Sequence, residues 1–257
     1  MKLSGRMALI TGGSAGVGLA LAKELRAREC TVIAVGRSSK RLAQAQAQVP
    51  GLHTVTCDIT QEDELTALAK TVARDFGALD LLFNNAAVME TWNAAEKPWH
   101  AGLDQELATN LTAPIKLIAR LLPALRALPS AAIVNVTTAL VYAPVAAIPL
   151  YCATKAALHS YTKSLRYQLK SSNVRVFELL PSTVATEMST GRFNTKMLSP
   201  EAVVSALLTG MERDRPEIRV GQAGPLYLMS RLAPSIIEAT LLATPAEPRP
   251  PALGAKA

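Results

Sequence analysis

The sequence predicts a single α/β domain whose core is a doubly wound parallel sheet of about seven strands, with helices on both faces. Short apolar runs alternate with helical patterns along the chain, and the runs are apolar at consecutive positions, as strands covered on both faces require. With 257 residues, of which 49% are hydrophobic and 18% charged, the chain can bury one large core. We expect this domain to span residues 1–243 and the proline-rich end, residues 244–257, to be disordered.

The elements of the first half are bounded by glycine, proline and capping residues. The first strand precedes a glycine-rich turn over residues 11–18, and apolar residues at helical spacing follow that turn. The predicted elements are strands at 7–10, 30–35, 53–57 and 79–83, a helix at 40–49, and a helix that a capping box at 60–63 opens and Gly77 closes.

The second half continues the alternation after an irregular stretch at residues 88–104. Pro114 and Pro123 should perturb the helix predicted at 107–128, because proline cannot donate a helical hydrogen bond. The apolar residues 225–243 form two short helical patterns on either side of Pro234; core packing or an oligomer contact explains them more simply than docking on a membrane surface. The other predicted elements are strands at 131–137, 174–180 and 218–220, a helix at 151–171, and a helix that begins at 199–201.

Composition and spacing argue against several classes of protein. No apolar run is long enough for a transmembrane helix, and the first residues lack a signal-peptide pattern. The scattered Cys30, Cys57 and Cys152, together with histidines that lack metal-ligand spacing, predict free thiols, no metal site and a cytoplasmic protein. The net charge of +7 is spread along the chain, which gives little support to nucleic-acid binding and suits an anionic cofactor or substrate.

The turn after the first strand is the clearest functional signal. Its sequence, TGGSAGVG over residues 11–18, places glycines between a strand and the beginning of a helix. Glycine lets the backbone approach a phosphate closely, and the helix N-terminus offers free N–H groups and a partial positive charge. The turn therefore predicts a pyrophosphate-binding site.

Tyr151 and Lys155 form a candidate proton-transfer pair. Four residues apart on a helix, they lie on one face, one turn from each other. A neighbouring ammonium group favours the phenolate and so lowers the pKa of a tyrosine, which can then exchange a proton with a substrate oxygen. The same spacing is common on solvated helix faces, so the pair gains its significance from the glycine turn. Cys152 points about 100° away and is expected to be packed rather than to act as a nucleophile.

These motifs, in this order, make the chain resemble the short-chain dehydrogenase/reductase family over about residues 1–225, which implies a single-domain Rossmann fold. The turn matches the family pattern TGxxxGxG, Tyr151 and Lys155 match YxxxK, and residues 84–87 match NNAG except for an alanine at the last position. Asn110 and Thr138 fall where the family has its other two catalytic residues. Residues 136–155 and 218–234 further resemble the bacterial DltE-like oxidoreductases.

The resemblance implies a role for each of these residues. Tyr151 would be the general acid of carbonyl reduction, and Lys155 would hold the nicotinamide ribose and lower the pKa of Tyr151. Asn110 would anchor a water between Lys155 and solvent, and Thr138 would orient the substrate carbonyl. The positions expected to bind the dinucleotide are Gly12, Ser14, Gly16, Val17, Gly18, Arg37, Asp58, Ile59, Asn84, Ala86, Tyr151, Lys155, Pro181, Val184 and Thr186.

The end of the second strand bears on the choice of cofactor. NAD-binding sites usually carry an acid there for the ribose 2′-hydroxyl, whereas this chain has Gly36, Arg37 and Ser38 and no carboxylate. The planar guanidinium of Arg37 can bind a 2′-phosphate through two hydrogen bonds. We therefore predict NADP(H); the alternative is that Arg37 is a solvated loop cation.

Three departures from the family pattern leave the expected chemistry in place. Thr138 keeps a hydroxyl where serine is usual, with a methyl group that narrows the slot. Ala87 replaces the glycine of a turn, and Ser182 replaces the glycine that usually follows Pro181, where it could restrict the backbone or bond to the carboxamide. None of the three removes an acid, a base or a cation.

The expected reaction is hydride transfer between NADP(H) and a carbonyl or alcohol substrate. An epimerase or dehydratase that retains its cofactor, and a non-catalytic NADP-sensing protein, are the alternatives. Met188, Phe193 and Met197 form either an apolar substrate wall or ordinary packing, and the sequence does not identify the substrate. The resemblance also implies a homodimer or homotetramer that pairs through the helices at 107–128 and 151–171.

Overall fold

Seven strands lie within the residues that the computed structural model describes, which are 1–96, 102–189, 191–193 and 196–244. They are β1 (Met7–Thr11), β2 (Thr31–Gly36), β3 (His53–Thr56), β4 (Leu81–Asn84), β5 (Ala131–Val136), β6 (Val174–Pro181) and β7 (Glu217–Val220). All pair in parallel in one sheet, in the order β3-β2-β1-β4-β5-β6-β7. The predicted fold class is confirmed.

The connections between strands are mostly helical. The described α-helices are α1 (Gly16–Ala27), α2 (Ser39–Gln48), α3 (Glu62–Thr71), α4 (Leu103–Leu107), α5 (Ala113–Arg126), α6 (Pro149–Gln168), α7 (Pro200–Glu212), α8 (Ala223–Leu232) and α9 (Pro234–Leu242). Two π-helical turns continue α3 over Val72–Phe76 and join α4 to α5 over Ala108–Thr112, and a 3₁₀ turn follows β5 over Ala139–Val141.

The sheet separates two apolar cores, because successive residues of a strand point to opposite faces. On β1, Ile10 packs into the core that contains Leu21 of α1 and Leu207 of α7. Its neighbour Leu9 packs into the core on the other face, with Leu117 of α5. Both faces of the sheet are therefore covered, as the consecutive apolar positions of the strands predict.

The strand order creates a crevice at the carboxyl edge of the sheet. β1 pairs with β2 on one side and with β4 on the other, so the crossover connections leave the centre of the sheet in opposite directions. In such sheets the loops that follow the two central strands separate and leave room for a ligand. The loops after β1, β4, β5 and β6 lie at this edge, and they carry several of the predicted site residues.

The beginning of α3 differs from the prediction, and the capping box at residues 60–63 is wrong. The N-cap is Gln61, which makes no side-chain capping bond. The Thr60 hydroxyl and backbone N–H both donate to Oδ1 of Asp58, at 2.8 and 3.0 Å, so an Asx turn takes the hydroxyl away from the helix. The predicted end is confirmed, because Gly77 closes the π-helical turn with a φ of +75°.

The helix after residue 102 contains the π turn that carries Asn110. In this turn the N–H of Ala113 donates to the carbonyl of Ala108, five residues back. Pro114 has no N–H and cannot close the ordinary bond to the carbonyl of Asn110, which favours local widening of the helix. The helix begins at Leu103, earlier than predicted, and Pro123 lies inside α5.

Helices α8 and α9 lie on either side of the Ala233–Pro234 junction, as predicted, but they present apolar side chains to solvent. Leu228, Leu232 and Ile236 are 55%, 72% and 65% exposed, so core packing is the wrong explanation for these residues. The oligomer contact stays a prediction. Among the described residues no helix is long and apolar enough to cross a membrane. The predicted disordered tail lies outside the described residues from residue 245 onward.

Replacing Leu207 by Ala should lower the free energy of unfolding by about 2–5 kcal/mol, because this fully buried side chain leaves a cavity between α7 and the sheet. Leu232→Ala is the matched control on another helix, and its exposed side chain should cost no more than about 0.5 kcal/mol. Urea unfolding of both variants measures the difference. Similar losses in the two variants would contradict the core assignment.

Candidate active site

The glycines after β1 allow protein atoms to pack closely around the turn. A Cβ added to Gly18 would lie 2.2 Å from the carbonyl oxygen of Gly12, and one added to Gly13 would lie 2.7 Å from the Cβ of Ala34. Gly12 and Gly16 have φ values of +66° and +51°, which favour glycine. The turn thus brings the beginning of α1 directly onto the end of β1.

Thr11 and Asn85 fix this turn to the loop after β4. The Thr11 hydroxyl, which is buried, accepts from the backbone N–H groups of Asn85 and Ala86 at 3.0 and 3.1 Å. The Asn85 side chain donates to the carbonyl oxygens of Thr11 and Gly12 at 2.9 and 3.3 Å. Sequence reasoning did not assign either side chain to the site, although both belong to the matched motifs.

The N-terminus of α1 can hold an anion. Its N-cap, Ala15, makes no side-chain capping bond, and its first turn contains no acidic residue. The first-turn N–H groups of Gly16, Val17 and Gly18 and the positive end of the helix dipole are therefore not neutralised by a side chain of the first turn. These groups fit the pyrophosphate of a dinucleotide.

The end of β2 is cationic. Arg37 is exposed immediately after the strand, and the first turn of α2 contains no acidic residue. A Cβ on Gly36 would lie 3.6 Å from the hydroxyl oxygen of Ser14, so Ser14 of the glycine turn reaches the same place. Among the described residues no carboxylate forms an ion pair with Arg37. The cationic group next to it, Arg41, forms an ion pair with Glu187 of the loop after β6.

The residues predicted to surround the adenosine differ in what they offer. Asp58 follows β3 and already accepts two hydrogen bonds from Thr60, while Ile59 is buried beside it. The Asn84 side chain is buried and donates to Asn135 at 2.8 Å, so it points into the protein. Any contact of Asn84 with a ribose would therefore come from its backbone, together with that of Ala86.

Tyr151 and Lys155 lie in the first two turns of α6, on the same face. The Nζ atom of Lys155 is 5.9 Å from the centre of the Tyr151 ring. Lys155 is buried, and its ammonium group donates to the carbonyl of Val136, at the end of β5, at 2.8 Å. This hydrogen bond holds the ammonium group at the carboxyl end of β5.

The ionisation of the pair differs from the sequence-based prediction. Burial raises the pKa of Tyr151 well above its usual range, and the charges of Cys152 and Glu106 act in the same direction. Burial also lowers the pKa of Lys155 to about 8, while the charge of Glu178 opposes this change. In the protein alone, desolvation thus outweighs the lowering of the tyrosine pKa that we predicted from Lys155, and the phenol keeps its proton.

Thr138 and Asn110 belong to two other elements that pack against α6. Thr138 follows β5, and its hydroxyl accepts from the backbone N–H of Leu140 at 3.3 Å, which leaves its proton available for donation. The Asn110 side chain bonds to both backbone groups of Val88, at 2.8 and 2.9 Å, and donates to Thr154 of α6 at 3.2 Å. Asn110 therefore clamps the loop after β4 against the helix that carries Tyr151.

The loop after β6 crosses toward the glycine turn. Pro181 ends the strand, and Val184 makes an isolated bridge to Leu198. Farther along, a Cβ added to Gly16 would lie 3.0 Å from the Thr186 side chain. The loop thus brings Thr186 next to the N-terminus of α1.

The two positions where the family pattern has glycine, Ala87 and Ser182, show no backbone strain. Positive φ values among the described non-glycine residues occur at Glu29 and Asp214, so neither Ala87 nor Ser182 occupies a conformation that requires glycine. The Ser182 hydroxyl points toward Gly221, where an added Cβ would lie 2.5 Å away. Ser182 therefore packs against the end of β7.

An apolar cluster lies beside Tyr151. Its buried members are Met89, Val145, Ile148 and Cys152, and partly buried residues that include Tyr151, Met188 and Phe193 pack against them. Cys152 is packed, as predicted. Met188 and Phe193 thus take part in packing beside Tyr151, whereas Met197 is not among the members of this cluster.

Comparisons with known proteins agree with the motifs. Residues 6–197 match the family model described as short chain dehydrogenase. The chain is 38% identical over 224 residues to the uncharacterized oxidoreductase DltE of Bacillus subtilis (strain 168), covering 85% of this chain and 89% of that protein. The predicted family resemblance is thus confirmed.

Solved structures with the same fold include complexes with either nicotinamide cofactor. A short chain dehydrogenase from Burkholderia cenocepacia J2315 in complex with NADP superimposes with a TM-score of 0.84 at 25% identity, over 94% of this chain and 99% of that one. A short chain dehydrogenase/reductase from Burkholderia phymatum in complex with NAD gives a TM-score of 0.81 at 21% identity, over 96% and 99% of the two chains.

Replacing Thr11 by Val should lower the free energy of unfolding by about 2 kcal/mol or more, because two backbone N–H groups lose their acceptor. Thr11→Ser is the matched control, since it keeps the hydroxyl and loses one methyl group, at a cost of about 0.8 kcal/mol. Urea unfolding compares the two variants. A valine variant that is no less stable than the serine variant would show that the hydroxyl does not hold the turn.

Proposed function

Because the chain belongs to the short chain dehydrogenase family, we propose that it is an oxidoreductase that transfers a hydride between NADP(H) and a carbonyl or alcohol substrate. The observation that carries the proposal is the joint arrangement of Tyr151, Lys155 and Thr138. Lys155 lies within 5.9 Å of the Tyr151 ring and bonds to Val136, two residues before Thr138. In the proposed mechanism these three residues would supply an acid, a cation and a hydroxyl at the crevice.

The dinucleotide would be held along the carboxyl edge of the sheet. The N-terminus of α1 would bind the pyrophosphate, Asp58, Ile59 and Ala86 would surround the adenosine, and Lys155 would bind the nicotinamide ribose. Pro181, Val184 and Thr186 would close over the nicotinamide end. When bound, the cofactor supplies or accepts the hydride.

Electrostatics favour NADP(H) over NAD(H). Arg37 and the Ser14 hydroxyl lie at the end of β2, where a 2′-phosphate would be placed, and no carboxylate follows that strand. A guanidinium group can bind a phosphate with two parallel hydrogen bonds. One structure with this fold is a complex with NADP and another is a complex with NAD. The proposal of NADP(H) therefore rests on the side chains of Arg37 and Ser14.

Tyr151 would act as the general acid in carbonyl reduction. Burial keeps the proton on its phenol in the protein alone, and the ammonium of Lys155 would stabilise the phenolate that forms when the proton is given to the substrate oxygen. The Thr138 hydroxyl would donate to the same oxygen and orient it. The apolar cluster around Met89 and Phe193, which packs against Tyr151, would contact a hydrophobic part of the substrate.

Tyr151→Phe should lower kcat for carbonyl reduction by at least about 100-fold, because it removes the general acid, while the Kd for NADPH stays nearly unchanged. Tyr161→Phe is the matched control on α6, since Tyr161 packs against the core that contains Leu9 and Leu117. The assay follows NADPH absorbance with a panel of ketones and aldehydes. An active Tyr151→Phe variant would rule out the mechanism, and turnover without net NADPH consumption would indicate an epimerase or dehydratase.

Arg37→Ser should raise KM for NADPH by about tenfold or more and change KM for NADH little, since hydrogen bonds to a charged group contribute about 1.5–3 kcal/mol. Arg213→Ser, at the exposed end of α7, is the control for a general loss of positive charge. Steady-state kinetics with both cofactors measure the effect. Preference of the wild-type enzyme for NADH would overturn the assignment of NADP(H).

A further inference from the structure

We propose that the buried carboxylate of Glu178, held in place by His159 and Thr137, is the positioning group that keeps Lys155 charged in the site. The inference rests on the proposed function of Lys155. It concerns three side chains that the sequence motifs did not assign to the site. Neither Glu178 nor His159 is among the residues proposed to contact the substrate, so they would act through Lys155.

Glu178 is an internal carboxylate with a complete set of partners. It lies on β6 and is fully buried. The Thr137 hydroxyl donates to its Oε1 at 2.6 Å, and Nδ1 of His159 is 2.9 Å from both carboxylate oxygens. Because carboxylate oxygens accept hydrogen bonds, Nδ1 of His159 is the donor in this contact. The two donors hold the carboxylate in place.

The same elements bury this carboxylate and the ammonium group in one region of the protein. Lys155 and His159 lie one turn apart on α6, so they face the sheet together. Lys155 donates to the carbonyl of Val136, and the next residue of the chain, Thr137, donates to Glu178. Burial lowers the pKa of Lys155 to about 8, and the charge of Glu178 raises it against this effect. Removing that charge should therefore make the ammonium group easier to deprotonate.

His159 lies between the buried Glu178 carboxylate and the protein surface. Its side chain is 17% exposed and lines a cavity of about 450 Å³. Tyr142 stands edge-on to its ring at 5.9 Å between centroids, and the Tyr142 hydroxyl accepts from Arg219 at 2.9 Å. The charged and titratable groups around His159 and Glu178 are Lys155 and Lys163 of α6, Tyr142 after the 3₁₀ turn, Glu217 and Arg219 of β7, and Arg231 of α8.

The direct test is the titration of Lys155 by NMR in protein that carries ¹³C-labelled lysine, without cofactor. Glu178→Gln should move the Lys155 midpoint to lower pH by about one unit, because it removes an opposite charge, whereas Glu178→Asp should move it less. Glu217→Gln is the matched control. Glu217 is the register partner of Glu178 on β7, and its charge does not contribute to the change in the pKa of Lys155. An unchanged midpoint in Glu178→Gln, or an equal shift in Glu217→Gln, would overturn the proposal.

A second pair of variants tests the role of His159 and does not depend on whether Glu178→Gln folds. His159→Asn keeps an N–H donor close to the position of Nδ1, and His159→Phe removes it. The phenylalanine variant should lower the Lys155 midpoint, because the Glu178 carboxylate loses the donor that holds it in place. In the asparagine variant the Lys155 midpoint should stay close to the wild-type value, because an N–H donor is kept. Equal midpoints in the two variants would show that His159 does not act through the carboxylate.

The pH dependence of activity separates this inference from the proposed function. Lys155 loses its charge as pH rises, so kcat/KM for carbonyl reduction should fall on the alkaline side. In Glu178→Gln the fall should begin about one pH unit earlier than in the wild type. If the wild type consumed no NADPH while the NMR midpoints moved as expected, the proposed reaction would fail and the pairing of Glu178 with Lys155 would stand. If kcat/KM of Glu178→Gln fell at the same alkaline pH as that of the wild type, the pairing of Glu178 with Lys155 would be overturned.

Discussion

The ammonium group of Lys155 is buried at the carboxyl end of β5, and much of the surrounding structure serves to keep it there. A charge removed from water destabilises a folded protein unless hydrogen bonds and opposite charges replace the lost hydration. The carbonyl of Val136 supplies one hydrogen bond, and the carboxylate of Glu178 supplies the opposite charge. Because both come from adjacent strands, the strand pairing of the central sheet fixes the position of the ammonium group.

The same edge of the sheet is built by close contacts between loops. Thr11 and Asn85 join the turn after β1 to the loop after β4, and Gly18 lets α1 rest on the carbonyl of Gly12. Asn110 joins the loop after β4 to α6 through Val88 and Thr154. The N-terminal end of α1 and the face that carries Tyr151 are thus connected through side-chain hydrogen bonds, which hold them in one geometry.

The loop after β6 links the two ends of the proposed dinucleotide site. Thr186 lies against Gly16 at the beginning of α1, and Glu187 pairs with Arg41 at the beginning of α2. A single loop therefore contacts both the beginning of α1 and the beginning of α2. Residues more than a hundred positions apart in the chain are thus brought together along the proposed site.

The alternation of strands and helices, the glycine turn and the Tyr151–Lys155 spacing could be predicted from the amino-acid sequence, because these depend on local periodicity and on residues a few positions apart. The sequence could not predict the partners of buried polar groups. Only the tertiary structure placed Glu178 beside His159, turned the Asn84 side chain toward Asn135, and removed Thr60 from its expected capping role. It also decided the ionisation of Tyr151, since desolvation depends on the surroundings that the fold creates rather than on the neighbour four residues away.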